Sequence, residues 1–421
     1  MLKKLRKNKL VFSIGSYTMV NLINQGIPFL MLPILTNYLS PTDYGILTNI
    51  ESLITITVTL IGINFAAAFS RHFVNENFDV NGYFKTGLKV IFFSFLLVSL
   101  LYFFLADFIY QFTAIPIYII RFISIYALLN VVLEGLLTLW RMEEKPFHYG
   151  ILRISKTLIE VTISVSLVVG LEYNWQGRFI GLCIGVFACS LFALFYLVKM
   201  GVFKAKITKK YRKQFLTYGL PLIPHSISGV IIFYSDKIVI TKMIGIEENG
   251  LYSVAFTLGM VISLLQNSFN QAWVPWLFKK LALRSKDEDR KLVKITYLYM
   301  AAMMVLVFIL WLVAPILYLF IGSEFKSGMS LVAIVGLGFA FNGMYKMMVN
   351  YLFFAERTKI ISIVTLGIAV LNIGLNIVFI KQFGLVGSAY ASALSFFVQF
   401  IVTWYISNLY YPMPWFKLKK E

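Results

Sequence analysis

Apolar stretches of twenty residues or more, separated by short polar turns, succeed one another along almost the whole of this 421-residue chain. A helix rises about 1.5 Å per residue, so about 20 mainly apolar residues cross the hydrocarbon of a bilayer. Stretches of that kind lie near 10–35, 44–70, 84–106, 115–139, 150–171 and 178–200. A second set lies near 214–242, 248–277, 293–321, 327–355, 358–380 and 385–410. Lipid offers no partner to backbone N–H and C=O groups, so a run of this length must satisfy them internally as a helix. The expectation is an all-α integral membrane protein with about twelve transmembrane helices. Composition agrees: 14% of residues are charged, against roughly 25% in soluble domains.

The net charge of +19 is then a matter of placement. With the N-terminus inside, the inner segments are 1–9, 71–89, 141–156, 199–213, 279–294, 357–359 and 417–420, and they carry 31 of the 38 Lys and Arg. The outer connections hold only Arg178, Lys242, Lys326 and Lys381. Such a bias sets orientation in a bilayer, so both termini are expected in the cytoplasm. It also excludes nucleic acid as a partner, since the basic segments meet anionic membrane lipids. The basic start followed by an apolar run resembles a signal peptide. But 10–35 is too long for a signal core and lacks a small-x-small cleavage site, so it reads as an uncleaved first helix.

The chain repeats itself. Thr36-Asn-Tyr-Leu39-Ser40-Pro-Thr-Asp43-Tyr-Gly45-Ile46 follows the first segment, and Thr241-Lys-Met-Ile244-Gly245-Ile-Glu-Glu248-Asn-Gly250-Leu251 follows the seventh. Thr, an aliphatic, a small residue, an acid and Gly recur in register. The acid sits near the next helix's N-terminus, where the macrodipole favours negative charge. Both copies follow an odd-numbered helix, so the repeats run parallel. The expected organisation is two six-helix lobes, 1–205 and 206–421, joined by the basic 199–213 linker.

Within apolar helices, polar residues recur at steps of three or four. Segment 1 carries Ser13, Tyr17, Asn21, Asn24 and Pro28, and segment 2 carries Thr48, Glu51, Thr55, Thr59 and Gly62. Segment 5 has Arg153, Lys156, Glu160 and Ser164; segment 8 has Ser263, Gln266, Asn267 and Asn270. Segment 10 has Asn342, Lys346 and Asn350, and segment 12 has Ser388, Ser392, Ser395, Gln399 and Thr403. Such stripes serve either to pack helices by hydrogen bonds or to line a wet cavity suited to a ligand with many hydroxyls. An ionisable residue inside a span costs several kcal/mol unless paired or hydrated. Glu160 can pair with Lys156 one turn earlier. Asp236 and Lys237 adjoin and cannot share one helix side, so each needs its own partner. Lys346 lies roughly 12 Å from its inner helix end on the Asn342/Asn350 face. Arg121 is near an outer helix end and can snorkel, Arg71 closes segment 2, and His225 follows Pro224 as a proton carrier or a hydrogen-bonded structural residue. Pro221 and Pro224 in segment 7, and Pro28 and Pro33 in segment 1, remove backbone donors and are candidate hinges.

No soluble catalytic constellation, cofactor motif or metal site emerges. Cys183 and Cys189 fall on different sides of one helix, and His72, His148 and His225 are scattered. Gly338-Phe-Ala-Phe-Asn-Gly343 has the glycine spacing of a phosphate loop, but Met344-Tyr345 follows where Lys-Ser/Thr is required. Direct ATP drive and enzymatic chemistry are not expected.

Four passages carry a family resemblance: Pro33 to Gly45; Tyr218-Gly-Leu-Pro221-Leu-Ile-Pro224 with Ser235-Asp236-Lys237; Asn270-Gln-Ala-Trp273-Val-Pro275-Trp276; and Gly384-Leu-Val-Gly387-Ser-Ala. In order and spacing the chain resembles the Wzx-type polysaccharide flippases of the multidrug/oligosaccharidyl-lipid/polysaccharide exporter superfamily. The resemblance implies two lobes that alternate access, moving an undecaprenyl-diphosphate-linked oligosaccharide from the cytoplasmic to the periplasmic leaflet of a bacterial inner membrane. It further implies contact with glycan polymerase or chain-length proteins. The alternative is a cation-coupled multidrug exporter of the same superfamily. The candidate pathway residues are Asp236, Lys237, Lys346, Arg121, Glu160, Lys156, Arg153, Arg71, His225, Asn342, Asn350, Ser392 and Gln399.

Overall fold

The computed structural model describes residues 19–20, 23–24, 26–27, 29–73, 78–282 and 285–415. Most of the first expected helix, with its Ser13, Tyr17, Asn21 and Pro28, and the basic ends 1–9 and 417–420 lie outside them. The described residues form helices: α1 (Phe29–Tyr38), α2 (Pro41–Gly62), α3 (Phe65–Phe73), α4 (Val80–Thr113), α5 (Ile117–Met142), α6 (Pro146–Val165) and α7 (Asn174–Lys199). There follow α8 (Lys209–Met243), α9 (Ile246–Gly259), α10 (Val261–Ala282), α11 (Lys286–Leu317), α12 (Leu331–Phe354), α13 (Thr358–Phe383) and α14 (Leu385–Tyr410).

Ten of these spans are long and apolar enough to cross a membrane among the described residues. The two expected helices outside that count have plain physical reasons. The first is described only in part, as the short α1, and α6 carries Arg153, Lys156 and Glu160 within 20 residues. Boundaries differ where local chemistry is silent in the sequence. The second expected helix is two, α2 and α3, interrupted where Ile63 and Asn64 adopt positive φ of 45° and 53°. Asn tolerates that region and a β-branched Ile does not, so the break is held from outside. Ser226 of α8 donates to Asn64 Oδ1 at 2.8 Å, and the missing Cβ of Gly219 admits the Ile63 carbonyl, which would lie 2.2 Å from it. The eighth expected helix likewise divides into α9 and α10 at Met260. Helix α6 ends in a π-type turn, Ser166–Gly170. Pro221 and Pro224 sit inside α8 without ending it.

The chain divides into two compact units, Met1–Val230 and Ile231–Glu421, and the division falls within α8. In unit 1 the linker between α7 and α8 is pinned to the start of α4. Lys85 Nζ donates to the carbonyls of Phe203 (2.8 Å) and Ala205 (2.9 Å), and Asn81 Nδ2 to that of Met200 (2.9 Å). In unit 2 the segment after α14 returns to the helix ends: Trp415 is buried, its carbonyl accepts from Tyr297 Oη at 2.8 Å, and its ring meets Tyr351 and Trp404.

The internal repeat has a counterpart in burial. Within the most apolar window, α2 and α5 are 61% buried and α4 17%; at the 205-residue offset the α9–α10 span and the span ending in α12 are 61% and α11 17%. Helices α5 and α12 are thus the central staves of their units, and α4 and α11 present apolar side chains outward, including Phe93, Phe104, Phe108, Phe308 and Trp311.

Candidate functional site

The polar residues of unit 2 collect into two groups. The first is built around Asp236 on α8, which is fully buried. Its Oδ2 accepts from Tyr252 Oη of α9 at 2.5 Å and from Ser392 Oγ of α14 at 2.7 Å, while Oδ1 takes no hydrogen bond from a described residue. On the same helix Ser235 Oγ donates to Asn372 Oδ1 of α13 at 2.8 Å. Asn372 Nδ2 reaches Ser395 Oγ at 3.2 Å, Asn376 Nδ2 reaches the Asn372 carbonyl at 3.0 Å, and Ser388 Oγ donates to Asn376 Oδ1 at 2.6 Å. Four helices are thereby tied through side chains alone, in surroundings where an unpaired polar group is expensive. Lys237 turns elsewhere, its Nζ 5.0 Å and 4.8 Å from the ring centroids of Tyr234 and Phe256. The adjacent acid and base do have separate partners, as their positions on the helix require.

The second group joins α10 to α12. Lys346 Nζ donates to Asn267 Oδ1 at 2.5 Å, and Asn350 Nδ2 to Asn270 Oδ1 at 2.9 Å. Gln266 Nε2 donates to the Phe339 carbonyl at 3.1 Å and lies 3.5 Å from Asn342 Oδ1. Gly343 makes room for this, since a Cβ there would lie 2.8 Å from both Gln266 Oε1 and Tyr299 Oη. No described carboxylate pairs with Lys346. Gln399 and Thr403 are buried on α14, and Gln399 Oε1 and Thr403 Oγ1 lack a hydrogen-bond partner among the described residues.

In unit 1 the charges of α6 are paired. Lys156 Nζ lies 2.7 Å from Glu160 Oε1 one turn on, with side chains 17% and 8% exposed. Arg153 pairs with Glu134 of α5, and Thr157 donates to Asn24. Glu160 fits because α7 presents glycine to it: a Cβ at Gly185 would fall 2.3 Å from Glu160 Cγ, and one at Gly181 2.2 Å from Ser164 Oγ. Half-buried His225 stands apart, and its Nδ1 is unpartnered among the described residues. Arg71 is exposed at the end of α3, and Arg121 is exposed on α5 with its guanidinium 5.0 Å from the Phe103 ring centroid. Outside the spans, burial and the neighbouring Arg71 charge lower the pKa of His72, and the hydrogen bond to Glu143 raises that of Lys145.

Of the thirteen expected residues, Asp236 is brought together with Ser392, Lys346 is placed on one α12 face with Asn342 and Asn350, and Arg153, Lys156 and Glu160 share α6. Among the described residues no three His, Cys, Asp or Glu side chains gather as a metal site would require.

Residues 10–281 match the sequence profile of a family described as polysaccharide biosynthesis protein. The chain belongs to that family. Over 373 residues it is 23% identical to the "Lsg locus putative protein 1" of Haemophilus influenzae, covering 85% of this chain and 87% of that one. Its fold is that of solved transporters. A multidrug resistance MATE family transporter of the MOP superfamily, in an inward-facing conformation, aligns with a TM-score of 0.73 at 13% identity, over 91% of this chain and 97% of the other. The lipid II flippase MurJ, in an inward closed conformation, aligns with a TM-score of 0.70 at 15% identity, over 96% and 87%. The Wzx-type resemblance read from the sequence is borne out by the family match, and the chain is a multi-pass membrane protein with the fold of these transporters.

The sequence reading missed three partners of the Asp236 group. Asn372 and Asn376, at i and i+4 in an otherwise apolar helix, form an amide stripe visible in the sequence. Tyr252 had no such signal, because tyrosine serves equally as a core or interface residue.

Proposed function

We propose that this family member is a flippase for an undecaprenyl-diphosphate-linked oligosaccharide, carrying it from the cytoplasmic to the periplasmic leaflet of a bacterial inner membrane by alternating access, with no covalent chemistry of its own. Lobes 1–205 and 206–421 are the moving bodies, and both termini are cytoplasmic. Glycan polymerase and chain-length proteins are the partners expected at the outer face.

The observation that carries the reading, within a polysaccharide biosynthesis family, is the state of Lys346. It is a cation in a span, held by the neutral amide of Asn267 and paired with no described carboxylate. An ammonium so placed has no internal anion to neutralise it, and a diphosphate forms charge-assisted hydrogen bonds with such a group. Amides of α10 and α12 flank it and offer donors and acceptors to sugar hydroxyls by exchanging their present partners. The tail stays in lipid throughout. An inside-negative potential drives the outward step by about 2.3 kcal/mol per charge per 100 mV.

The test is deletion of the gene, followed by assay of surface polysaccharide and of lipid-linked oligosaccharide at the cytoplasmic face. Loss of the first with build-up of the second is expected, with restoration by the wild-type gene and none by Lys346→Ala. Unchanged polysaccharide together with new sensitivity to cationic dyes would replace the reading with the drug-exporter alternative.

A further inference from the structure

Independently of what is transported, unit 1 carries a groove that faces outward between α5 and α7. Its volume is about 420 Å³, and Tyr118, Phe122, Ile125 and Leu129 of α5 and Phe179 and Phe187 of α7 line it. From Tyr118 to Leu129 the helix advances about 17 Å, close to the roughly 15 Å of hydrocarbon in one leaflet. Three exposed tyrosines mark the level at which this depth begins: Tyr110 near the end of α4, Tyr118 at the start of α5 and Tyr173 just before α7. Tyrosine gathers where hydrocarbon meets headgroups.

At the same level, one turn into α5, stands Arg121. By helical spacing it shares a face with Tyr118 and Ile125, which line the groove, although Arg121 itself is not among the lining residues. Its side chain is exposed, and its guanidinium plane lies over Phe103 of α4. No described carboxylate pairs with it, and stacking on a ring leaves the in-plane N–H donors of a guanidinium available. A cation on a lipid-facing helix is costly without an anionic partner. The chemistry that answers both features is a phosphate at headgroup level joined to a hydrocarbon chain about one leaflet long.

We propose that this groove binds one acyl chain of an anionic glycerophospholipid whose phosphate is held by Arg121. The site lies wholly within unit 1 and is separate from Lys346 and the Asp236 group.

The full-length protein, purified in detergent, is mixed with phosphatidylglycerol or phosphatidylcholine, and bound lipid is counted by native mass spectrometry. The wild type is expected to retain one phosphatidylglycerol with a roughly fivefold preference over phosphatidylcholine, the scale of one cation acting on an anionic headgroup. Arg121→Gln should abolish the preference while leaving lipid uptake, and Arg121→Lys should keep much of it. Ile184→Trp, which fills the groove from α7, should lower occupancy by both lipids. Equal binding of the two lipids by the wild type, or an unchanged preference in Arg121→Gln, would overturn the proposal. So would displacement of phosphatidylglycerol by an equal concentration of polyprenyl phosphate, which would assign the groove to a carrier tail.

Discussion

The two units carry charge inside the bilayer on opposite terms. In unit 1, Lys156 and Glu160 neutralise each other along α6, and Arg153 is matched by Glu134. In unit 2, Asp236 is held by two hydroxyls and Lys346 by an amide. A matched pair is a closed unit whose value is structural, since each member meets the other's field at short range. A charge held by neutral dipoles retains its net field and the capacity to bind an opposite charge. Within the helix bundles, the unit 2 groups are therefore better suited to receive an anion or a coupling cation than the α6 pairs of unit 1, whose charges fix helix positions.

The largest effect expected from this contrast is on transport. Lys346→Ala should lower flux by tenfold or more, a change of at least about 1.4 kcal/mol in the barrier, while the protein inserts and purifies normally. Flux is read as surface polysaccharide restored in a deletion strain. Lys346→Arg should retain more activity than the alanine. Wild-type flux in Lys346→Ala would remove this residue from the pathway and undo the contrast at its main point.

Next is stability in unit 1. Removing one member of a buried pair leaves the other uncompensated, at a cost of about 3 kcal/mol, and with side chains 17% and 8% exposed solvent screens this pair little. Lys156→Met should therefore lower the melting temperature of the purified protein sharply, and the double variant Lys156→Met/Glu160→Gln should recover most of the loss. A double variant as unstable as the single one would show that the pair does not act as a unit. Gly185→Val approaches the same pair from α7. Its added methyl groups press on Glu160, and overpacking costs about 1–3 kcal/mol. That loss should shrink when Glu160 is shortened to Ala, and an undiminished loss would mean that the clash lies elsewhere.

These contrasts were only partly legible in the sequence. The spans could be read because hydrocarbon imposes one demand, internal pairing of every backbone group, and composition records it. The Lys156–Glu160 pair was readable for a similar reason, since both residues lie on one helix at a fixed spacing. Partners on different helices were not. Nothing near Glu134 announces Arg153, and nothing near Tyr252 announces Asp236, because the register between helices is set by packing of apolar surfaces that resemble one another. The same ambiguity left open whether Arg121 faces lipid or the interior, since a helix face turned to lipid and one turned to protein are equally apolar. The break at Ile63–Asn64 was not legible because a single glycine before it, Gly62, is common within membrane helices; α8 supplies the contacts that hold it.

The smallest effect concerns the repeated hairpins, which share a pattern and differ in mechanism. Before α2, Ser40 is an N-cap in extended conformation: its Oγ accepts from the Asp43 N–H, and Asp43 Oδ2 accepts in return from the Ser40 N–H. Before α9 the corresponding residue is Gly245, with φ 155° and ψ 167°, a region nearly confined to glycine. There Glu248 Oε2 would lie 2.5 Å from any Cβ at position 245. Ser40→Ala removes one cap and should cost about 1 kcal/mol. Gly245→Ala must strain the backbone as well, at about 1–3 kcal/mol, and should therefore lower the melting temperature more than Ser40→Ala, although both change a small residue to alanine at one point of the repeat. The reverse order would mean that the two hairpins are held alike, and that the sequence repeat extends to their local energetics.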